Sequence, residues 1–373
     1  TAGATAVSSG ATLLIDNGLT VSENVTISGT GDSSVGAIKF GNGSSANTFN
    51  GTIALAANST ISSTGTGGTT FGGTMNASSN GGQSLTIATS TDDLTISGVI
   101  GGTYKPSSIS ISATGVARTL SIDQDLSSTG DQTLTAAGGI TISGARTFTS
   151  TSGTINTVSA LSGNSSFDIS GNSDIDGAIT GITTFSVSGT SDLGANVTTS
   201  GTQQYDGVTT LSTNVTLTTT DSNVTFNDKV ISDSTTNRNL TIDTNGNTGT
   251  AVFGDATADT IGVTNGYDLG VIDITGNLDL NAAIGNGATA GATSIEVSGT
   301  SDLGADVTTS GTQTYTGAVT TDGSRTLQGS TVQFVSTVTG TTAASDDLTI
   351  TGIYINYLLA FDCQPLITLL SKL

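Results

Sequence analysis

One stretch of this chain occurs twice, and that copy limits the possible folds more than any other feature. Residues Phe185–Gly207 read FSVSGTSDLGANVTTSGTQQYDG, and residues Ile295–Gly317, starting 110 positions later, read IEVSGTSDLGADVTTSGTQTYTG. Most positions are identical, and the changes at structural positions are mild, as where Phe185 becomes Ile295 and Asn196 becomes Asp306. A copied block of this kind is typical of repeat arrays in which neighbouring units bury each other's apolar edges.

Composition favours β-structure over disorder. Charged residues make up 10% of the chain and aromatic residues 4%, with 51 Gly and only 2 Pro. Ordinary globular domains carry about 25% charged residues. Disordered chains are rich in Pro, Glu and Lys and poor in β-branched residues, whereas Val, Ile and Thr recur here and suit a pleated, half-buried surface. The composition therefore predicts an all-β chain.

Short runs in which apolar residues alternate with Thr or Ser recur along the chain, as in NVTISG at Asn24–Gly29 and NLTID at Asn239–Asp243. This period of two predicts strands with one buried face. The Gly, Asn, Asp and Ser clusters between the runs predict turns. The phrase DDLTI occurs at both Asp92–Ile96 and Asp346–Ile350, so the same pattern persists throughout. We therefore predict a right-handed parallel β-helix (a β-solenoid) over residues 1–350.

A solenoid coil of roughly 20 residues would give about 17 coils and a stack about 80 Å high. The main structural alternative is a tandem array of immunoglobulin-like domains. Against that alternative, the chain lacks a regular domain-sized period and has no Trp, the residue that often marks the core of such domains.

Two segments carry a resemblance to a known group of proteins. TSGTQTYTGAVTT at Thr309–Thr321 and TLQGSTVQFVSTV at Thr326–Val338 resemble the degenerate coils of filamentous-haemagglutinin-type adhesins and the passenger regions of bacterial autotransporters. The resemblance lies in composition and phrasing and covers residues 1–350. It implies a right-handed parallel β-helix, export across the outer membrane and a location at the cell surface.

The charge of the chain excludes some partners. The formal net charge is −21, with 29 acidic against 8 basic residues, and the basic residues are scattered. A nucleic-acid binder would need a clustered basic surface, and an anionic membrane would repel this chain. The acidity is typical of a soluble surface that resists self-association.

The termini and the cysteine content carry further expectations. Cys363 is the only cysteine, which excludes intramolecular disulfides and cysteine-built zinc sites. The sequence begins with Thr1 amid repeats, and we expect it to be a fragment of a longer chain.

The final residues, 351–373, depart from the repeat composition. Ile353–Leu373 read IYINYLLAFDCQPLITLLSKL, and the polar residues within them argue against a membrane span. Two interpretations stay open: a helical or irregular cap on the last coil, or a segment that is not native to the repeat.

The sequence offers few candidates for catalysis. Histidine is absent, which excludes Ser-His-Asp and Cys-His sites. Paired carboxylates occur at Asp92–Asp93 and Asp346–Asp347, and we expect each pair to close a turn before a strand through its own backbone. We expect the same of Asp192 and Asp302, in the SDLG phrase of the copied block. We therefore predict no catalytic residues and no cofactor.

One motif places oxygen ligands at alternate positions, as in the first half of an EF-hand loop: Asn172, Asp174 and Asp176, followed by Gly177. The twelfth position is Thr183 instead of a bidentate Glu, so we predict no metal site there but leave weak calcium binding open. The Thr-x-Thr run in Val215–Thr220 resembles ice-binding arrays, although its phrases drift in length. Asn-x-Thr sequons mostly reflect composition.

These observations predict a non-catalytic, surface-displayed stalk or adhesin fragment of a bacterial secreted protein, located outside the cell. Its expected partners are host or neighbouring-cell surface molecules, with no nucleic acid and no membrane insertion. The alternative is a self-assembling filament or surface-layer subunit, whose partners would be copies of itself.

Overall fold

The protein is described by a computed structural model. The chain is all-β, with 53% of residues in strands and ~1% in helix, and it coils as a parallel β-solenoid of about 15 turns. This confirms the predicted fold class, while the handedness of the coil stays a prediction. The turns are fewer than the 17 expected because the loops lengthen many coils beyond 20 residues. The structure describes residues 5–41, 43–234, 236–245, 248–256, 258–262, 266–342, 346–356 and 367–370, with side chains up to residue 352.

The chain divides into two compact units, Thr1–Ile182 and Thr183–Leu373. The first unit contains a single turn of 3₁₀ helix at Asp32–Ser34 and these strands: β1 Thr5–Val7, β2 Leu13–Ile15, β3 Thr20–Val21, β4 Val25–Gly29, β5 Ile38–Phe40, β6 Asn47–Phe49, β7 Ile53–Ser63, β8 Thr69–Phe71, β9 Met75–Ala77, β10 Leu85–Thr89, β11 Leu94–Ile96, β12 Ile109–Ala113, β13 Leu120–Ile122, β14 Leu126–Ser128, β15 Gln132–Ala136, β16 Ile140–Ile142, β17 Arg146–Thr157, β18 Leu161–Ser162, β19 Phe167–Ile175 and β20 Ile179–Ile182.

The described residues of the second unit form these strands: β21 Phe185–Val187, β22 Ser191–Leu193, β23 Val197–Thr199, β24 Gln203–Tyr205, β25 Thr209–Leu211, β26 Val215–Thr218, β27 Val224–Phe226, β28 Val230–Ser232, β29 Arg238–Asp243, β30 Thr250–Phe253, β31 Thr260–Ile261, β32 Leu269–Thr275, β33 Asn277–Leu280, β34 Ala283–Ile284, β35 Ala292–Val297, β36 Ser301–Leu303, β37 Val307–Thr308, β38 Thr312–Tyr315, β39 Val319–Thr321, β40 Arg325–Phe334, β41 Val338–Gly340, β42 Leu348–Asn356 and β43 Ile367–Leu370.

In each unit the strands stack in parallel, in-register columns. One column of the first unit runs β3, β6, β8, β11, β13, β16, β18, β20. One column of the second unit runs β21, β24, β27, β30, β33, β36, β39, β41. Each strand thus satisfies its backbone groups through the coils before and after it, which is the hydrogen bonding expected of a solenoid.

The core follows directly from the period-two pattern. Three-residue strands such as β11 and β27 place residues one and three inside and residue two outside, as alternating Cβ directions require. Inward side chains then stack on their equivalents one coil away. In the second unit Tyr205 lies over Phe226 with ring centroids 5.1 Å apart, and Phe226 lies over Phe253 at 5.2 Å. The buried core is mostly aliphatic, and these aromatic residues are among its largest side chains.

Some strands continue around a corner of the coil. β7 pairs with β4 and β9 through its first half and with β5 and β10 through its second half. Gly171, at φ 134°, lies inside β19 where that strand changes direction. A side chain there would be strained, because L-residues rarely adopt positive φ.

The predicted tail boundary at residue 350 falls inside a strand. β42 runs Leu348–Asn356, and β43 pairs with it in parallel, with Leu348 opposite Ile367. Residues 357–366 and 371–373 lie outside the described part of the chain, so the nature of the tail stays a prediction. Among the described residues, no helix is long and apolar enough to cross a membrane.

Candidate functional site

The two carboxylates of the first pair, Asp92 and Asp93, make different contacts: Asp92 is buried and Asp93 points outward. Asp92 is 1% exposed, and its carboxylate accepts hydrogen bonds from Ser63 Oγ at 2.6 Å, Thr69 Oγ1 at 2.7 Å and the Gly68 amide at 2.6 Å. These donors belong to the preceding coil, not to the turn of Asp92 itself. Three donors satisfy a buried carboxylate, so Asp92 ties two coils together.

Asp93 points outward and forms a corner of the coil. Its carboxylate accepts a hydrogen bond from the Thr119 amide, one coil later, at 2.8 Å, and lies 3.6 Å from Arg118 Nη1. The two carboxylates therefore face different surroundings. They do not form an acid–base pair.

The second pair differs from the first, because the donors to Asp346 lie only four and five residues before it. Asp346 is 4% exposed and accepts hydrogen bonds from the Thr342 amide at 2.6 Å and the Thr341 hydroxyl at 3.1 Å. The amide of Asp347 donates to Ser324 Oγ at 3.3 Å. The carboxylate of Asp346 and the amide of Asp347 therefore bond to different segments of the chain, 341–342 and Ser324 respectively.

The expectation that Asp192 and Asp302 close turns is wrong. Both occupy the central, outward position of a three-residue strand, β22 and β36 respectively. In Ser-Asp-Leu the Ser and Leu side chains point inward and the Asp outward, so a strand period of two explains the phrase. Burial, together with the nearby carboxylates of Asp279 and Asp322, raises the pKa of Asp302.

The calcium-like motif lies on an extended strand. Asn172 and Asp174 belong to β19, and Asp176 follows it. Alternate outward residues on a strand are nearly 7 Å apart, whereas a loop must curl to bring them around one ion. Asp174 instead accepts a hydrogen bond from Asn156 Nδ2, on the adjacent strand, at 3.1 Å. In the described part of the chain no three acidic, Cys or His side chains come together as a metal site would require.

The copied block contains a buried polar network that the sequence did not reveal. Gln203 Nε2 donates to the Val197 carbonyl at 3.1 Å, to Thr199 Oγ1 at 3.3 Å and to the Thr218 carbonyl at 2.9 Å. The Tyr205 hydroxyl donates to Gln203 Oε1 at 3.1 Å. Gln203 and Tyr205 are both 0% exposed, and burial raises the pKa of Tyr205, which keeps the phenol a neutral donor.

The second copy reproduces the network. Gln313 Nε2 donates to the carbonyls of Val307 and Gln328 at 3.2 and 2.8 Å and to Thr309 Oγ1 at 3.3 Å. The Tyr315 hydroxyl donates to Gln313 Oε1 at 3.2 Å. The residues that are identical in the two copies of the block thus form the same set of buried hydrogen bonds.

A third site, in the first unit, has the glutamine without the tyrosine. Gln132 Nε2 donates to the carbonyls of Leu126 and Thr149 and to Ser128 Oγ, at 3.4, 2.7 and 3.2 Å. Leu134 occupies the position two residues later, and Gln132 Oε1 has no hydrogen-bond partner. The shared spacing Ser/Thr-x-Gly-x-Gln, at 128–132, 199–203 and 309–313, is the sequence signal that could have identified all three sites.

The glycine of this spacing is required by the approach of the preceding coil. A Cβ at Gly201 would lie 2.7 Å from the Thr183 carbonyl oxygen, and one at Gly311 2.8 Å from that of Thr293. Real Cβ atoms do not come so close to backbone oxygen. Only glycine fits this corner.

Asn and Asp side chains form a second recurring device at the corners, here called the Asx corner contacts. In each, the side-chain Oδ1 accepts a backbone N–H from the next coil at 2.8–3.0 Å. They are formed by Asn24, Asn58, Asn76, Asn80, Asp93, Asp125, Asp131, Asn196, Asn214, Asp221, Asn223, Asn239, Asn277 and Asp306.

The Asx corner contacts explain two features of the composition. Asn196 accepts from Thr216 and Asp306 from Thr326, both at 2.8 Å, so Asp and Asn are interchangeable there and part of the negative charge is structural. Asn-Val-Thr sequons arise because Asn forms the corner, Val points inward and Thr outward, as at Asn24.

Comparison with protein-family models, with curated proteins and with solved structures gives no match. The coarse part of the resemblance noted in the sequence, a β-helical repeat protein, agrees with the parallel solenoid. No match identifies the chain as an adhesin or as an autotransporter passenger.

Proposed function

We propose that this chain is a structural segment of a bacterial secreted protein, displayed at the cell surface as a stalk or adhesin and without catalytic activity. The observation that carries the proposal is the repetition of one mechanical design in both units. Parallel columns bury an apolar stack, and Asx corner contacts join successive coils.

This design suits a stalk because each coil is stabilised mainly by its immediate neighbours. Coils can therefore be added without enlarging the core, and the backbone hydrogen bonds resist separation of the coils. Outward Thr, Ser and Asp keep the surface polar, and the negative charge opposes association.

The surroundings of the paired carboxylates favour a non-catalytic role. Asp92 is buried and accepts three hydrogen bonds from the preceding coil, and Asp93 contacts a backbone amide and an arginine. A general acid or base needs reach to a substrate proton, and neither carboxylate is presented in that way.

The second candidate is a self-assembling filament or surface-layer subunit. Unpaired strand edges are templates for further pairing, so end strands that are exposed and uncharged in the whole protein would favour this candidate.

Electron microscopy of the purified chain over a concentration series, with and without EDTA, tests the proposal. We expect particles of one size at every concentration, unchanged by EDTA, because nothing in the design requires a metal. Filaments that lengthen with concentration would replace the stalk by the self-assembling subunit.

A further inference from the structure

The two copies of the block lie on different columns of the second unit. Rung partners in this unit are three strands apart along the chain, as β21 and β24 are. The first copy begins at β21, on the column that continues through β24, β27, β30, β33 and β36. The second copy begins at β35, on the column of β23, β26, β29 and β32. The second copy is therefore displaced by one column, because β35 is the fourteenth strand after β21 and fourteen strands are not a whole number of coils.

The contacts of the block are the same on both columns. Tyr205 stacks on Phe226 with ring centroids 5.1 Å apart and an interplanar angle of 15°, and Tyr315 stacks on Phe334 at 5.4 Å and 18°. The four hydrogen bonds described for each glutamine network agree between the copies to within 0.1 Å. The inward rung pairs with the following coil also match: Val197–Leu217, Gln203–Val224 and Tyr205–Phe226 in the first copy, and Val307–Leu327, Gln313–Val332 and Tyr315–Phe334 in the second.

The differences between the copies lie mostly outside the core. Five of the 23 positions differ, and among those five residues of the first copy only Phe185 is buried. Its counterpart Ile295 is buried as well, so an apolar side chain occupies this inward position on both columns. The residues that face the core are therefore nearly the same on two different columns.

Such a block can join two parts of the array that differ by one column. A solenoid strand is stabilised mainly by the coils before and after it. Deletion of residues 188–297 would join Val187 to Ser298 within the phrase that both copies share, and it would place β38 beside β21, where β24 lies in the full chain. Each later strand would move to another column but would keep its own rung partners.

We propose that the columns of the second unit are interchangeable, so that the chain can lose or gain the 110 residues between the copies and remain a folded solenoid. Recombination between the two copies would then change the length of the array in steps that are not whole coils. A stalk and a filament subunit could both vary in length in this way, so the inference does not depend on which of them the chain is.

Cysteine cross-linking of the chain that lacks residues 188–297 tests the proposal, with Cys363→Ser as background. Ser186→Cys/Thr314→Cys should form a disulfide on mild oxidation in this chain, because β38 would lie beside β21 with Cα atoms about 4.8 Å apart. The same two substitutions should give no cross-link in the full chain, where β38 lies on the column of β35. In the full chain Ser186→Cys/Gln204→Cys is the positive control, since these residues are rung partners.

Circular dichroism should give the deletion chain the same ellipticity per residue as the full chain. A folded deletion chain without the expected cross-link would overturn the proposal, because its later strands would not have moved to the next column. If the deletion chain does not fold, a chain in which residues 188–297 are repeated decides the outcome, since it keeps every strand of the full chain. There Glu296→Cys, before the insert, should cross-link to Gln204→Cys within the insert, and failure to fold or to cross-link would overturn the proposal.

Discussion

Gln203 and Gln132 occupy the same kind of corner in different coils, but the residue two positions later differs: Tyr205 in one site and Leu134 in the other. Both amides donate to two backbone carbonyls and a hydroxyl. At the first site Tyr205 also donates to the glutamine Oε1, whereas at the second Leu134 leaves that oxygen buried without a partner. The bonds from the glutamine amide nitrogen are common to both sites, so they are the contacts that hold the backbone of the corner. The tyrosine adds a hydrogen bond to the glutamine oxygen and an aromatic stack.

Removing the whole tyrosine side chain should have the largest effect on this comparison. Tyr205 packs edge-on against Phe185 at 5.9 Å and parallel to Phe226 at 5.1 Å. Tyr205→Ala therefore leaves a cavity in the stack and is expected to cost about 3–5 kcal/mol of unfolding free energy. Urea unfolding followed by circular dichroism measures it, and a loss below about 1 kcal/mol would show that the stack is not tightly packed.

Removing only the hydroxyl should turn the Gln203 site into a copy of the Gln132 site. Tyr205→Phe keeps the ring but leaves Gln203 Oε1 buried and unpaired, which should cost about 1–3 kcal/mol. Hydrogen exchange of the β24 amides reports the local opening directly. The control is Tyr104→Phe, at a residue 46% exposed, and equal exchange in the two variants would contradict the role of the network.

The sequence predicted the strands because they depend on local alternation, and it predicted the parallel stacking because the same phrases persist along the chain. It could not predict the glutamine network. Nothing local distinguishes Gln203 from the other polar residues, and one of its partners, the Thr218 carbonyl, lies 15 residues away. The Asx corner contacts were missed for the same reason, because acceptor and donor are a full coil apart. In the SDLG phrase Asp and Gly favour a turn, but Ser and Leu alternate about Asp and point inward, so the phrase forms a strand.

The two copies of the block allow a matched test of the Asx corner contacts. Because Asn196 and Asp306 accept equivalent amides, Asn196→Asp and Asp306→Asn should change stability by less than about 0.5 kcal/mol. Asn196→Ala should cost about 1 kcal/mol, since the Thr216 amide loses its acceptor. Thermal unfolding of the three variants distinguishes them. Equal losses in all three would contradict the account, because two of the variants keep the accepting oxygen.

The smallest expected effect concerns pH. Asp302 has two rung partners, Asp279 on the preceding coil and Thr320 on the following coil. Because the pKa of Asp302 is raised in the folded state, stability falls as pH rises from the unfolded value near ~3.9 through the folded value. Asp302→Asn should therefore raise the thermal midpoint slightly at pH 7 but not at about pH 3.

A second variant, Asp279→Asn, tests the cause. It removes the carboxylate on the rung beside Asp302, whose charge contributes to the raised pKa of Asp302, so it should also raise the thermal midpoint at pH 7. If Asp279→Asn leaves the midpoint unchanged at pH 7, repulsion between the stacked carboxylates is not the cause.

Cysteine cross-linking tests the parallel, in-register stacking most directly. Thr70 and Thr95 are outward rung partners on β8 and β11, with Cα atoms about 4.8 Å apart, within the range that a disulfide spans. With Cys363→Ser as background, Thr70→Cys/Thr95→Cys should form a disulfide on mild oxidation. Thr48→Cys/Thr95→Cys, two coils apart, should not. Rapid cross-linking of the distant pair with none of the near pair would contradict the solenoid register.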